Sequence, residues 1–169
     1  MVGNTASGGD FDRLTAMKPL VNKKFTQLIS DLPDELSDIT LLWCQQFEST
    51  YPDSVAGIVS ADDFLTGMMK LVAVSEFAAN TIIREWPWIL SCRDNGACLQ
   101  VPDRQALQEF AAEISTCKDD IDTVKSRLRQ FRDRWLLLVL WREICEAASL
   151  NETLQALSDL ADHLLAACA

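Results

Sequence analysis

Residues that break regular structure are scarce in this chain: 169 residues hold only six glycines and five prolines, several of them near the start and the middle. That scarcity argues against many short strands joined by tight turns and favours long helices. Histidine occurs once, and the six cysteines, at 44, 92, 98, 117, 145 and 168, include no C-x-x-C pair. A zinc site therefore lacks ligands at the usual spacing, and the thiols read as reduced structural groups of a cytosolic protein. Cys145 and Cys168 are expected on apolar helical faces, where a thiol acts as a small hydrophobe. The longest apolar run, Trp135 to Trp141, is far short of the ~20 residues of a spanning helix. Met1 to Asp10 is polar and glycine-rich, without the apolar centre of a secretory signal. These absences predict a cytoplasmic protein.

Positive charge is also in deficit. Fifteen Lys and Arg face 25 Asp and Glu, a formal net charge of −10. A field of that sign repels phosphate backbones and anionic lipid, so neither nucleic acid nor a membrane surface is an expected partner. Apolar residues, by contrast, make up 49% of the chain, enough for one domain with a real core.

No alternating strand pattern and no internal repeat is visible. Residues 1–16 read as a flexible leader and 17–169 as a single helical domain, an all-α bundle of long amphipathic helices with no sheet. Helices are predicted from Pro19 to Ser30 and from Asp38 to Glu48, with Asp31 to Ser37 as a turn between them. The second carries Ile39, Leu42, Trp43 and Phe47 at helical spacing, and Tyr51-Pro52-Asp53 breaks the chain after it. Ser60-Ala-Asp-Asp63 has the hydroxyl and acidic residues of a helix start. The helix it opens is expected to run to Glu85 and to end at Trp86-Pro87-Trp88. Cys92 to Val101 reads as a loop around Asp94-Asn95-Gly96. Pro102-Asp103 opens a helix through Leu107, Phe110, Ala111 and Ile114, and Lys118 to Asp120 is a turn. A long helix follows from Ile121 to Ala148, its apolar side expected at Leu128, Phe131, Trp135, Leu138 and Ile144. Ser149 to Glu152 has capping-box spacing and starts the last helix, with a predicted stripe at Leu150, Leu154, Leu157, Ala161, Leu164 and Cys168.

Two segments carry a resemblance. One is Leu128-Arg-Gln-Phe-Arg-Asp-Arg134, which leads through Leu154-Gln-Ala-Leu-Ser-Asp-Leu-Ala-Asp162 to the alanine-rich end. The other is Val74-Ser-Glu-Phe-Ala78, followed by Arg84-Glu-Trp-Pro-Trp-Ile-Leu90. In this order and spacing they resemble the glutamate–ammonia-ligase (glutamine synthetase) adenylyltransferase family from about residue 60 onward. The likeness is to the first of that enzyme's two related halves, the one that removes AMP. The resemblance implies an intact enzyme that uses ATP and Mg²⁺ to adenylylate glutamine synthetase, removes that AMP by phosphorolysis, and responds to the PII protein and glutamine. Its nucleotidyltransferase domain, with a Gly-Ser loop and an Asp-x-Asp pair, is expected beyond Ala169, so this piece is expected to be truncated before it. No cofactor is expected in this chain itself.

Candidate chemistry within the chain is sparse. Asp120-Ile121-Asp122 has Asp-x-Asp spacing without a Gly-Ser loop, and acidic residues at a helix start are explained by the helix dipole. Arg127, Arg129, Arg132 and Arg134 form the only basic cluster. Arg129, Arg132 and Arg134, with Arg142, are the candidate interdomain or partner contacts, set against a solvated surface with local pairs such as Arg129 with Asp133. His163 reads as an ordinary helix histidine, and the five tryptophans as core or interface anchors. No catalytic and no metal-binding residue is expected. The leading expectation is a non-catalytic helical scaffold segment of the bifunctional enzyme. The alternative is a stand-alone helical module that binds glutamine synthetase or PII.

Overall fold

The computed structural model describes residues 22–58, 62–117 and 120–168. Every element among them is helical, as the composition predicts. They group into two compact units, one up to Ala61 and one from Asp62 onward.

In the first unit α1 spans Lys23–Ser30, α2 Asp34–Thr50 and α3 Pro52–Ile58. Asn22 caps α1 by accepting the Lys24 N–H at 3.0 Å. The predicted start at Pro19 lies outside the described residues. The turn expected over Asp31 to Ser37 is shorter than predicted. Pro33 sits at the cap, and Asp34 and Glu35 complement the dipole of the first turn of α2. Phe25, Trp43 and Phe47 are buried together, Trp43 stacked on Phe47 at 5.0 Å and Phe25 edge-on to it at 6.5 Å. Ile39 and Leu42, expected beside them, are exposed. Tyr51 does break the chain, but Pro52 begins the next helix because a first-turn proline forfeits no hydrogen bond.

The second unit holds α4 (Asp62–Val74), α5 (Glu76–Arg84), α6 (Trp86–Asp94), a 3-10 turn at Ala97–Leu99, α7 (Arg104–Thr116), α8 (Ile121–Ile144) and α9 (Leu150–Cys168). The single helix expected from Ser60 to Glu85 is two. Ser75 leaves the helical region and its hydroxyl accepts the Ala78 N–H at 3.2 Å, capping α5. Ser60 lies outside the described residues. Pro87 does not end a helix either; it occupies the first turn of α6, and the break falls two residues before it, at Glu85. Cys92 to Asp94 complete α6, and Gly96 at φ 73° turns the chain into the 3-10 segment, so the expected loop is partly helical.

The long helix stops at Ile144, four residues before the predicted Ala148. Glu146 takes a left-handed φ of 56°. The Ala147 N–H reaches the Arg142 carbonyl at 2.8 Å and the Glu146 N–H that of Glu143 at 3.1 Å, a Schellman closure without glycine. The capping box at Ser149 forms as its spacing predicts. Glu152 accepts the Ser149 N–H at 2.8 Å, and these bonds hold its carboxyl below the usual range.

One core lies where α7, α8 and α9 meet, with Leu107, Trp135, Val139, Ala156 and Leu160 buried together and the Trp135 indole N–H donating to the Ala156 carbonyl at 3.1 Å. A second contact joins α4 to the end of α8. Phe64 stacks on Trp141 at 4.9 Å, and a Cβ on Gly67 would lie 2.8 Å from the Cys145 sulfur. Glycine at 67 is what lets α4 come this close. No helix among the described residues is long and apolar enough to cross a membrane.

Candidate functional site

α8 positions most of the charged groups singled out by sequence. Asp120 starts it by accepting the Asp122 and Thr123 N–H groups at 3.0 and 3.1 Å and the Thr123 hydroxyl at 2.7 Å. The Thr123 hydroxyl, followed by these backbone bonds, holds the Asp120 carboxyl below its ordinary value. Asp122 is highly exposed and paired with Lys125 at 3.6 Å. With Asp120 spent on the cap and Asp122 turned to solvent, the pair does not fit a Mg²⁺ ion bridging to a phosphate. Among the described residues no group of three or more His, Cys, Asp or Glu side chains is placed to hold a metal.

The C-terminal half of α8 is enclosed on most sides, with Asp133, Trp135, Leu137, Val139, Trp141 and Arg142 all buried. The apolar side predicted at Leu128, Phe131, Leu138 and Ile144 is only half-buried, and only Trp135 of that set is core. Enclosure brings charge inside. Glu85, 5% exposed at the α5–α6 junction, accepts from Arg134 Nε at 2.7 Å and from the Gln130 amide at 3.0 Å, with Arg134 Nη2 at 2.6 Å. The Arg134 guanidinium also lies 5.1 Å from the centre of the Trp88 ring, a cation–π contact. Asp133 accepts from Arg84 Nη2 at 2.8 Å and Arg132 Nη2 at 2.7 Å. The Arg129–Asp133 pair named as an example for the alternative reading does not form; Arg84 and Arg132 occupy that carboxylate.

The four candidate arginines separate into two classes. Arg129 is exposed and makes no ion pair with a described residue, and Arg132 is half-exposed. Arg134 is turned inward onto Glu85. Arg142, 3% exposed, donates to the Ala147 carbonyl at 3.1 Å and faces Glu152 at 3.5 Å, tying the end of α8 to the start of α9. Sequence reading named Asp133 only as a possible partner of Arg129 and gave Arg84 and Glu85 no charged role. The Arg84-Glu85 pair directly before the helix-breaking Trp-Pro was the available signal.

Two further charged contacts brace α7. The Arg104 guanidinium grips both oxygens of Asp159 on α9, and this pairing holds the Asp159 carboxyl below its ordinary value. Arg127 pairs with Glu113. Beside Arg134 lies a cavity of about 310 Å³ whose lining includes Trp88, Cys92, Phe131 and Trp135. All six cysteines are free, and burial pushes the Cys98 thiol up to about 12, far from the range of a reactive thiolate. Cys145 lies just past the end of α8, half-buried, and Cys168 is exposed rather than on a packed face. His163 places Nδ1 2.7 Å from the Asp159 carbonyl, the ordinary bond of a helix histidine. Trp43, Trp86, Trp135 and Trp141 are buried and Trp88 is half-buried, so the tryptophans act as anchors.

Comparison with known proteins locates this unit. The family model described as glutamate-ammonia ligase adenylyltransferase matches residues 65–169, nearly the whole of the second unit. The bifunctional glutamine synthetase adenylyltransferase/adenylyl-removing enzyme of Psychromonas ingrahamii is 32% identical over 105 residues, covering 61% of this chain and 11% of that protein. The enzyme of the same name from Pseudomonas aeruginosa is 31% identical over 103 residues, 60% of this chain and 10% of that protein. That of Shewanella loihica is 26% identical over 140 residues, 80% of this chain and 14% of that protein. No solved structure matches. The chain thus spans about a tenth of the length of the first two of these relatives. With the match falling on the unit whose helices are tied together by Glu85, Arg134, Arg142 and Asp159, the chain belongs to the glutamate-ammonia ligase adenylyltransferase family.

Proposed function

We propose that this chain supplies a helical scaffold segment to an enzyme that adenylylates and de-adenylylates glutamine synthetase, orienting the parts that carry out the chemistry rather than performing it. The observation that carries this reading is where the matched unit spends its charge. Glu85, Asp133, Arg142 and Asp159 are buried, and each is engaged by a neighbouring segment of the same unit. Groups held this way fix the geometry between helices and have little freedom to attack a substrate or relay a proton. Within the longer protein, the segment belongs to the half that removes AMP. Glutamine synthetase is the protein substrate, PII a regulatory partner, and ATP with Mg²⁺ is handled by the nucleotidyltransferase domain, all in the cytoplasm.

The test is turnover by the purified chain. It is incubated with Mg-ATP and unmodified glutamine synthetase, and separately with AMP-bearing synthetase and inorganic phosphate. Neither incorporation of AMP nor release of ADP above the protein-free rate is expected; release or incorporation by the chain alone overturns the scaffold reading. The exposed Arg129 and Arg132 keep a second reading open, a helical module that binds glutamine synthetase or PII directly. Calorimetric titration against each protein separates the two, since heat from neither rejects the module.

A further inference from the structure

Two arginines bind one buried carboxylate of α8, and a third lies one helical turn away on the exposed surface. Asp133 takes Arg84 Nη2 at 2.8 Å on one oxygen, and Arg132 Nε and Nη2 at 3.0 and 2.7 Å on the other. The side chains of Arg84 and Arg132 remain 51% and 48% exposed. Arg129, one turn before Asp133, is exposed and makes no ion pair with a described residue. Lys125 continues the line four residues earlier, its amine 3.6 Å from the exposed Asp122.

Helix geometry makes these residues one face. At about 100° per residue, positions 125, 129 and 132 fall within a sector of roughly 60°. Arg127 and Arg134 point to the opposite side, where Glu113 and Glu85 engage them. Asp133 and Glu85 are two carboxylates shared by three guanidinium groups, those of Arg84, Arg132 and Arg134, so one of these, together with Arg129, which makes no ion pair with a described residue, leaves an excess of positive charge. That excess stands out on a chain whose net charge is −10.

We propose that this face docks a short acidic segment of a partner protein, with Asp or Glu side chains seated on Arg84, Arg129 and Arg132. The guanidinium fork matches a carboxylate with two parallel hydrogen bonds. From Lys125 to Arg132 the face is roughly 10 Å long, the span of about three residues of extended chain. A nucleic acid, with a charge every ~1.7 Å, or an anionic bilayer would extend past this face onto the acidic remainder of the chain. That repulsion acts within a Debye length of about 8 Å at physiological salt, and a short segment escapes it. The inference rests on this charge arrangement alone and holds whether or not the scaffold reading does.

The test is fluorescence anisotropy of a labelled hexaglutamate peptide titrated with the full chain at about 20 mM ionic strength, then at about 150 mM. Saturable binding that weakens at the higher salt is expected. Arg129→Gln removes no hydrogen bond or ion pair among the described residues and should raise Kd about threefold; Arg129→Gln with Arg132→Gln should raise it about tenfold. Arg127→Gln, on the opposite side, should leave Kd unchanged. Circular dichroism checks that each variant is folded, and Arg129→Gln carries the test if the double variant is not. No binding at low salt, binding indifferent to Arg129→Gln, or tighter binding of a short single-stranded oligonucleotide or of phosphatidylserine vesicles overturns the proposal.

Discussion

The helices α8 and α9 pack side by side and each buries an aspartate, yet far more of the leucines of α9 are left in water. α8 buries Asp133 and Arg142 among its tryptophans, while Arg129 and Lys125 face water. α9 buries Ala156, Asp159 and Leu160, and leaves Leu150, Leu154, Leu157 and Leu165 exposed, the last at 71%. The stripe predicted for α9 is therefore mostly on the wrong side: of its members only Leu164 is even half-buried. Both helices have apolar residues at steps of three and four. What differs is their surroundings. Among the described residues α8 meets α4, α5, α7, α9 and the 3-10 turn, so its faces must satisfy several neighbours at once; α9 rests chiefly on α7 and α8. Apolar spacing marks the faces that are able to pack, and the number of neighbours decides which of them do.

This contrast makes substitutions at similar residues unequal. Leu160→Ala, in the core shared with α7 and α8, should cost about 3 kcal/mol in urea denaturation, through lost transfer energy and the cavity left behind. If it costs less than about 1 kcal/mol, α9 is not packed as described. Glu85→Ala leaves the partly exposed Arg134 without its buried partner, and a loss of about 2 kcal/mol is expected in the same experiment. Ser75→Ala removes the cap that divides α4 from α5; about 1 kcal/mol is expected, with amide exchange faster over the first turn of α5.

Acid titration probes the α7–α9 clasp. Arg104 holds the Asp159 carboxyl below its unfolded value, so that contribution is complete above the unfolded value and is lost as pH falls through the lower folded one. Melting temperature should fall as the solution is acidified below pH ~4, less steeply in Asp159→Asn. Identical slopes would mean the clasp contributes nothing. Smallest of all, Leu165→Ala should change stability by less than about 0.5 kcal/mol, since its side chain is already in water. A larger loss would show that the outer face of α9 is covered in solution.

Much of the fold was legible before any coordinates. The cap at Ser149 was read from a short side chain that bonds to backbone three residues ahead, an interaction that needs no distant partner; near Asp103 and Asp120 a helix start was read, but not the side-chain caps that the structure places there. The break at Ser75 was hidden inside a run whose apolar spacing continues across it. The stop at Ile144 was hidden because Glu146 adopts a conformation that glycine usually marks. Of the candidate arginines, Arg129 and Arg132 lie on an accessible surface, as the alternative of a solvated helix face describes. Arg134 and Arg142 turn inward, a placement the sequence did not show because the carboxylate and carbonyl that draw them come from the α5–α6 junction and from the turn after α8.

The sequence by itself determined what depends on neighbours along the chain: helical content, most helix starts, the acidic balance, and the two segments that carry the family resemblance. Tertiary structure decided which apolar stripe of α9 is core, which arginines are structural, and that Arg84 joins Arg132 at Asp133 across 49 positions of sequence. The physical reason is range. A cap or a helix dipole acts within a turn, whereas burial and ion pairing depend on which distant surface arrives, and spacing along one helix does not encode that.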